Sequence, residues 1–417
     1  MYRGDWLIRL SALSRDAWNP LRWRVAPNVW GLGITSLLTD ISSEMVVSIL
    51  PAYLVMTGGL APLALGLATG LHEGGPMLAA WMGGLIADRS GRRKLTAGLG
   101  YAVSAICRMG WLLLPGRSMS AVAGLVLSDR IGKAIRTAPR DAVISLSTEP
   151  GQLSTAFGVH RALDAAGAAL GPVLAFFVLW QLPRRYDVVF LTSLVASLLG
   201  VLALALLVSE PADRPTIANG TRLDAFAVFR DIPARRVLAL AAAFGLVTVS
   251  DAFVYLLLVQ RAEAGPEWIP LLYTASAAVF LVLAIPVGYA ADRIGRRPVF
   301  VFGHAFLVLS YAAAFSRFPA WPWNALVCVA SLGAFSAASD GVLPSLASGL
   351  LPAHTRAVGL AWVATAASAA RLCSAVVFGL LWTRAGVRVA LLTFTMALIA
   401  VLCAASWGRS VESSVSG

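Results

Sequence analysis

Charged side chains embedded in apolar sequence are the chemistry this chain offers. Asp40 and Glu44 (TDISSEM) are four residues apart, one helical turn, so their carboxyls share a face. Two acids that close in an apolar setting compete for one proton, which suits them to carry it. Glu73, beside His72, repeats that chemistry in the next apolar run. Lys133, Arg136 and Arg140 recur at i, i+3 and i+7 and form one basic stripe. The stripe can hold an anion, or it can pair with Asp129, Asp40 and Glu44. Arg108, Arg130, Asp251, Asp340 and Arg371 are further charges inside apolar runs. Such groups are expensive within a membrane and mark function by default.

Other chemistries lack their residues. The four histidines share no metal-ligand spacing, and Cys107, Cys328, Cys373 and Cys403 lie in apolar runs without CxxC spacing. Neither a metal site nor a disulfide framework is expected. There is no GxxxxGK[ST], HExxH or GxSxG. ATP-driven, metalloprotease and esterase chemistry therefore have no foothold. The expectation is a protein that is not an enzyme and needs no cofactor.

The elements that position these charges follow from composition. Of 417 residues, 58% are hydrophobic and 13% charged, with mean hydropathy +0.77. A soluble domain is nearer a quarter charged. This excludes a soluble enzyme, a disordered chain and a nucleic-acid partner, despite a net charge of +12. The expected fold class is an all-α integral membrane protein whose partner is the lipid bilayer.

Apolar runs fall at about 29–56, 62–87, 94–114, 119–146, 154–180 and 187–208, then at 236–260, 268–290, 298–316, 323–350, 354–382 and 387–407. Twelve transmembrane helices in two six-helix bundles are expected. The divisions are a 1–28 N-terminal segment, bundles at 29–208 and 236–407, a 209–235 linker and a 408–417 tail. At ~1.5 Å rise per residue, Asp40, Glu44, Glu73, Arg108, Asp251 and Arg371 fall near mid-membrane. Asp340 falls in the inner half of its run. The loops on the side of the termini hold 20 basic residues and the other loops 7. Basic loops stay inside, so both termini and the linker are expected in the cytoplasm, with the chain in the inner (plasma) membrane.

An internal repeat supports two halves. Gly84-Leu-Ile-Ala-Asp88-Arg89-Ser-Gly91-Arg92-Arg93 returns as Gly288-Tyr-Ala-Ala-Asp292-Arg293-Ile-Gly295-Arg296-Arg297, 204 positions later, with seven of ten positions identical. This doubled G-x-x-x-D-R-x-G-R-R resembles the signature loop of the major facilitator superfamily, and the resemblance spans nearly the whole chain. It implies a cytoplasmic gate of Asp88, Arg89, Gly91, Arg92, Arg93, Asp292, Arg293, Gly295 and Arg296. Arg140 and Asp141 are expected to join it through Arg92 or Arg93. Gly158, Gly167, Gly171 and Pro172 (GVHRALDAAGAALGP) resemble the superfamily's antiporter motif in helix 5. Ala175 and Phe176 stand where that pattern has Gly-Gly. Small residues at this spacing also serve plain helix packing.

The resemblance further implies that helices 1, 4, 7 and 10 line a central cavity. Asp40, Glu44, Asp251 and Asp340 then face it, and Arg130 echoes a superfamily helix-4 arginine. The expected function is secondary transport of a small organic molecule by alternating access. The chain is expected to act as a monomer, with proton antiport through Asp40, Glu44 and Glu73 and substrate leaving the cell. Import of an organic anion or metal chelate along the helix-4 stripe is the alternative. A non-transporting sensor is a second one.

Overall fold

The computed structural model describes residues 25–90, 92–113, 118–149, 152–211, 229, 231–316, 321–351 and 356–415. Those residues are helical, joined by short turns. In chain order the helices are α1 (Pro27–Pro51, continued by a π-helical turn Ala52–Thr57), α2 (Pro62–Ser90), α3 (Arg93–Leu113), α4 (Met119–Ser147), α5 (Leu153–Gln181) and α6 (Tyr186–Leu207). Then follow α7 (Ile232–Val247), α8 (Asp251–Ala262), α9 (Trp268–Ile294), α10 (Arg296–Gly303), α11 (Ala305–Phe315), α12 (Trp323–Ser339), α13 (Val342–Leu350) and α14 (Arg356–Val415). Within α14, Gly386 has φ 83°, a left-handed kink that divides it.

Eight stretches among the described residues are long and apolar enough to cross a membrane: Pro27–Thr57, Thr155–Gln181, Tyr186–Leu207, Ile232–Ala262, Trp268–Ile294, Arg296–Phe315, Trp323–Leu350 and Gly359–Ser406. The protein is multi-pass. Its outward faces are apolar: Leu281, Val282 and Ile285 of α9 are each more than 70% exposed. Much of the polar chemistry points inward, the reverse of a soluble domain, because lipid solvates the apolar face.

Helices α1 to α6 pack on one another, chiefly α1 on α5 and α6, and α4 on α2 and α3. A second group forms through α7 on α14, α9 on α12 and α11 on α12. Buried hydroxyls and close backbones hold the first group together. Ser42 and Ser193 hydroxyls are 2.9 Å apart, and Ser193 also donates to the Ser42 carbonyl at 2.8 Å. Such hydrogen bonds and small-residue contacts drive association where the hydrophobic effect is absent.

The ends of the assembly differ. The start of α1, the start of α3 and the ends of α4 and α6 share one end, here the basic face: Asn28 Nδ2 donates to Ser147 Oγ at 2.8 Å and to the Ser209 carbonyl at 3.0 Å, and Arg93 N donates to Glu210 at 2.7 Å. At the far face the two groups meet. Leu63 N donates to Thr383 Oγ1 at 3.1 Å, Gly379 lies against the Pro62 carbonyl, and the Phe176 and Trp268 rings are 5.7 Å apart.

Three runs expected as continuous helices are broken. The 236–260 run parts at Thr248–Ser250, the 298–316 run turns at His304, and the 323–350 run breaks at Asp340–Gly341. Apolar periodicity passes through these points, and the first interruption is satisfied by side chains from elsewhere. Val249 N donates to Tyr311 Oη at 2.9 Å, and Ser374 Oγ donates to the Thr248 carbonyl at 2.5 Å. Irregular backbone at membrane depth persists where protein groups satisfy it.

Candidate functional site

A cavity of about 270 Å³ lies between the two groups of helices. From the first group it takes Glu44, Val47 and Leu50 of α1 and Thr69, His72 and Glu73 of α2. From the second it takes the unwound Thr248–Ser250, Asp251, Tyr273, Phe335, Ser336, Asp340 and Arg371. Four carboxylates and one guanidinium therefore converge. Ser250 and Glu73 line the cavity together, and Arg371 attracts both Glu73 and Asp340.

The helix breaks set this geometry. Asp251 opens α8 rather than sitting mid-helix, so its carboxylate stands in the first helical turn, where the helix dipole favours negative charge. Asp340 stands at the break between α12 and α13. It is exposed although it lines the interior, because the cavity holds open space around it. A second cavity of about 190 Å³ adjoins, sharing Thr248, Phe335, Asp340 and Arg371 and adding His304 within an aromatic setting. The His304 ring lies 4.1 Å from Phe244, and its Nδ1 is 2.8 Å from the Phe300 carbonyl.

The helix-4 basic residues go elsewhere. Arg108 and Arg130 both pair with Asp129, at 2.9 and 2.5 Å, with all three side chains at most 6% exposed. Arg108 also donates to Ser42 at 3.2 Å. Arg136 donates to Ser104 at 2.9 Å and lies over the Tyr101 ring, 4.5 Å from its centre. Its guanidinium is 3.9 Å from Asp40, and Lys133 Nζ is 3.7 Å from the same oxygen. Thus Arg108, Arg130, Lys133 and Arg136 form a network with Asp40 and Asp129, while Glu44, Glu73, Asp251, Asp340 and Arg371 form the cavity. Asp40 and Glu44, though one turn apart, take different company.

Of the expected gate, Gly91 and the side chains of Asp88 and Arg89 lie outside the described residues. Glu210 accepts from the amides of Arg93 and Lys94 at 2.7 and 2.9 Å, which caps α3 just after Arg92. Arg140 contacts Asp141 at 3.0 Å and Asp164 at 3.9 Å. In the second copy, Asp292 pairs with Arg296 at 3.2 Å, and Arg296 also donates to the Ser345 carbonyl. Arg293 lies over the Tyr289 ring, and Gly295 adopts φ 112°. The glycine spacing of α5 has a packing role. A Cβ on Gly167 would collide with the Leu37 carbonyl, and one on Gly171 would stand 2.7 Å from Ile41 O. Gly158 has open space, and Pro172 sits inside the helix.

Sequence reasoning missed Asp164, Tyr273 and the unwound Thr248–Ser250. Asp164 was legible as an acid in an apolar run; the other two carry no charge to mark them.

Comparison with known proteins gives consistent relatives. A family model described as Major Facilitator Superfamily matches residues 32–269 and 265–416. An uncharacterized MFS-type transporter of Methanocaldococcus jannaschii is 32% identical over 290 residues, 67% of this chain and 70% of that protein. The Multidrug resistance protein MdtH of Aeromonas hydrophila is 24% identical over 63% of this chain and 65% of its own length. The crystal structure of nucleoside transporter NupG superposes with TM-score 0.77 at 14% identity, covering 91% of this chain and 98% of that one. A bacterial homolog of the human lysosomal transporter Spinster, in an inward-facing and unoccupied conformation, gives 0.72 at 15% identity over 92% and 96%.

Proposed function

The chain belongs to the major facilitator superfamily, a family of membrane transporters, and from that premise we propose that it exports a small organic molecule in exchange for protons. The observation that carries this is the cavity between the two groups of helices, where Glu44, Glu73, Asp251 and Asp340 face one Arg371. A carboxylate excess in a partly dry cavity attracts a cation or a proton, and the two compete. That competition is the physical basis of antiport. The name of the MdtH relative, a multidrug resistance protein, supports efflux over import.

In this reading the chain crosses the membrane twelve times. The eight apolar stretches are joined by α2, α3 and α4, which are membrane-length helices carrying buried charge, and α14 is divided at Gly386. The two groups are the six-helix bundles expected at 29–208 and 236–407, and they rock about the cavity in alternating access. The basic face is cytoplasmic, with both termini there, in the inner membrane. Tight far-face packing and the exposed Asp340 support an inward-open state. Glu44, Glu73 and Asp40 carry protons, and the turns at Asp88 and Asp292 act as the gate.

Import of an organic anion is the second reading. Arg371 in the cavity and Lys133, whose side chain is 35% exposed, are its supports. Against it, Arg108, Arg130 and Arg136 are occupied by acids or buried partners.

Proteoliposomes enclosing a pH-sensitive dye separate the readings. Lipophilic cations, neutral amphiphiles and organic anions are added singly across an imposed pH gradient. Proton movement opposite to cation movement is expected. Proton movement with anions alone supports import, and proton flux that no compound alters refutes proton coupling.

A further inference from the structure

Asp164 has no role in the coupling described so far, yet it is the near neighbour of Asp40. Gly167 and Gly171 let α5 lie against the α1 backbone, and this sets Asp164 beside Asp40: Ser36, one turn before Asp40 on α1, donates to Asp164 Oδ1 at 2.5 Å, and the two carboxyls act on each other. The bases around Asp40 stand farther away. Lys133 Nζ at 3.7 Å and Arg136 Nη2 at 3.9 Å from Asp40 Oδ1 are both beyond hydrogen-bonding distance. That oxygen has no hydrogen-bond donor among the described residues, in a side chain only 5% exposed. Asp164 accepts from Ser36 at 2.5 Å, and Arg140 stands 3.9 Å away. An ionised carboxylate only accepts, so two carboxyls can hydrogen-bond to each other only when one carries a proton.

One member of the pair opens onto a pocket. A pocket of about 380 Å³ toward the basic face is lined by Arg140, Asp141, Phe157, His160, Arg161 and Asp164. The Asp164 side chain is 39% exposed. His160 is 2% exposed, and neither ring nitrogen has a partner among the described residues. On the other side of Asp40, one turn along α1, Glu44 lines the central cavity. The pair therefore stands between the basic-face pocket and that cavity.

The geometry points to Asp40 and Asp164 as one proton-holding site, which shares a single proton and loads it from the basic-face pocket through Asp164. The proton leaves a hydronium ion in the pocket, which becomes water, and turns two carboxylates into one carboxylate and one carboxylic acid. The other charged or titratable groups around the pair are Arg130, Lys133, Arg136, Arg140 and Asp141 from α4 and His160 and Arg161 from α5. Asp164 is thereby a coupling residue that Asp40 requires. This deepens the proton-coupled reading and rests on it, but the pair can be tested without any substrate.

Infrared spectra of the purified protein resolve the carbonyl stretch of a protonated carboxylic acid from that of carboxylates. At neutral pH the wild type is expected to show such a band. Asp40→Asn and Asp164→Asn should each remove the same band, while Glu149→Gln, at an exposed position, leaves it in place. A band that survives either asparagine variant overturns the shared site. Should Asp40→Asn fail to fold, Asp164→Glu keeps the acid and alters its hydrogen bond, so the band should shift; an unmoved band overturns the proposal. Gradient-driven flux is measured on the same preparations. Wild type that shows the band without coupled flux would refute the transport reading and leave the pair standing.

Discussion

The Val249 amide donates its proton to the Tyr311 hydroxyl at 2.9 Å, across 62 positions of sequence. Tyr311 is 1% exposed, so its hydroxyl is the acceptor that makes an unwound backbone tolerable beside the cavity. Tyr311→Phe keeps the ring and deletes the acceptor. An unpaired buried amide costs about 1–3 kcal/mol. The variant should unfold at lower temperature in detergent. An unchanged melting temperature would show that Tyr311 does not hold the break.

Asp129 is the shared anion of Arg108 and Arg130. Asp129→Asn strands two buried guanidinium groups. Removing one partner of a buried pair costs about 3–5 kcal/mol, so membrane insertion yield and melting temperature should both fall sharply. Arg130→Met in the same background removes one stranded charge and should recover part of the loss. Additive damage in the double variant would refute the pairing.

Gly66 sits where α2 meets α14, and a Cβ there would collide with the Ala375 carbonyl. Gly66→Val should force the far-face contact apart. Overpacking costs about 1–3 kcal/mol, enough for roughly a tenfold rise in opening. A cysteine at Thr383, which holds Leu63 across that contact, should then react roughly ten times faster with a soluble maleimide. An unchanged rate would mean that the contact does not govern opening.

Membrane orientation is tested in a background lacking the four native cysteines. With intact cells and an impermeant thiol reagent, a cysteine at Arg184 should label and one at Ser209 should not. Reversed labelling would invert the assignment of faces.

The sequence by itself determined that this is a helical membrane protein with a doubled basic turn, because lipid admits apolar helices and excludes unpaired charge. Glu44, Glu73, Asp251, Asp340 and Arg371 were legible for the same reason: a charge inside an apolar run stands out without any coordinates. Which charges meet was decided only by tertiary structure. Asp40 and Glu44 lie one turn apart on α1, yet Asp40 faces α4 and α5 while Glu44 faces the cavity, since each helix face is assigned by its neighbours. The break at Thr248–Ser250 was invisible because its stabilisation is long-range: Tyr311 and Ser374 satisfy it across more than 60 positions. Asp164 lay in plain view in a glycine-spaced helix. Its meaning came only when Gly167 and Gly171 let α5 close on α1 and set one carboxyl against another.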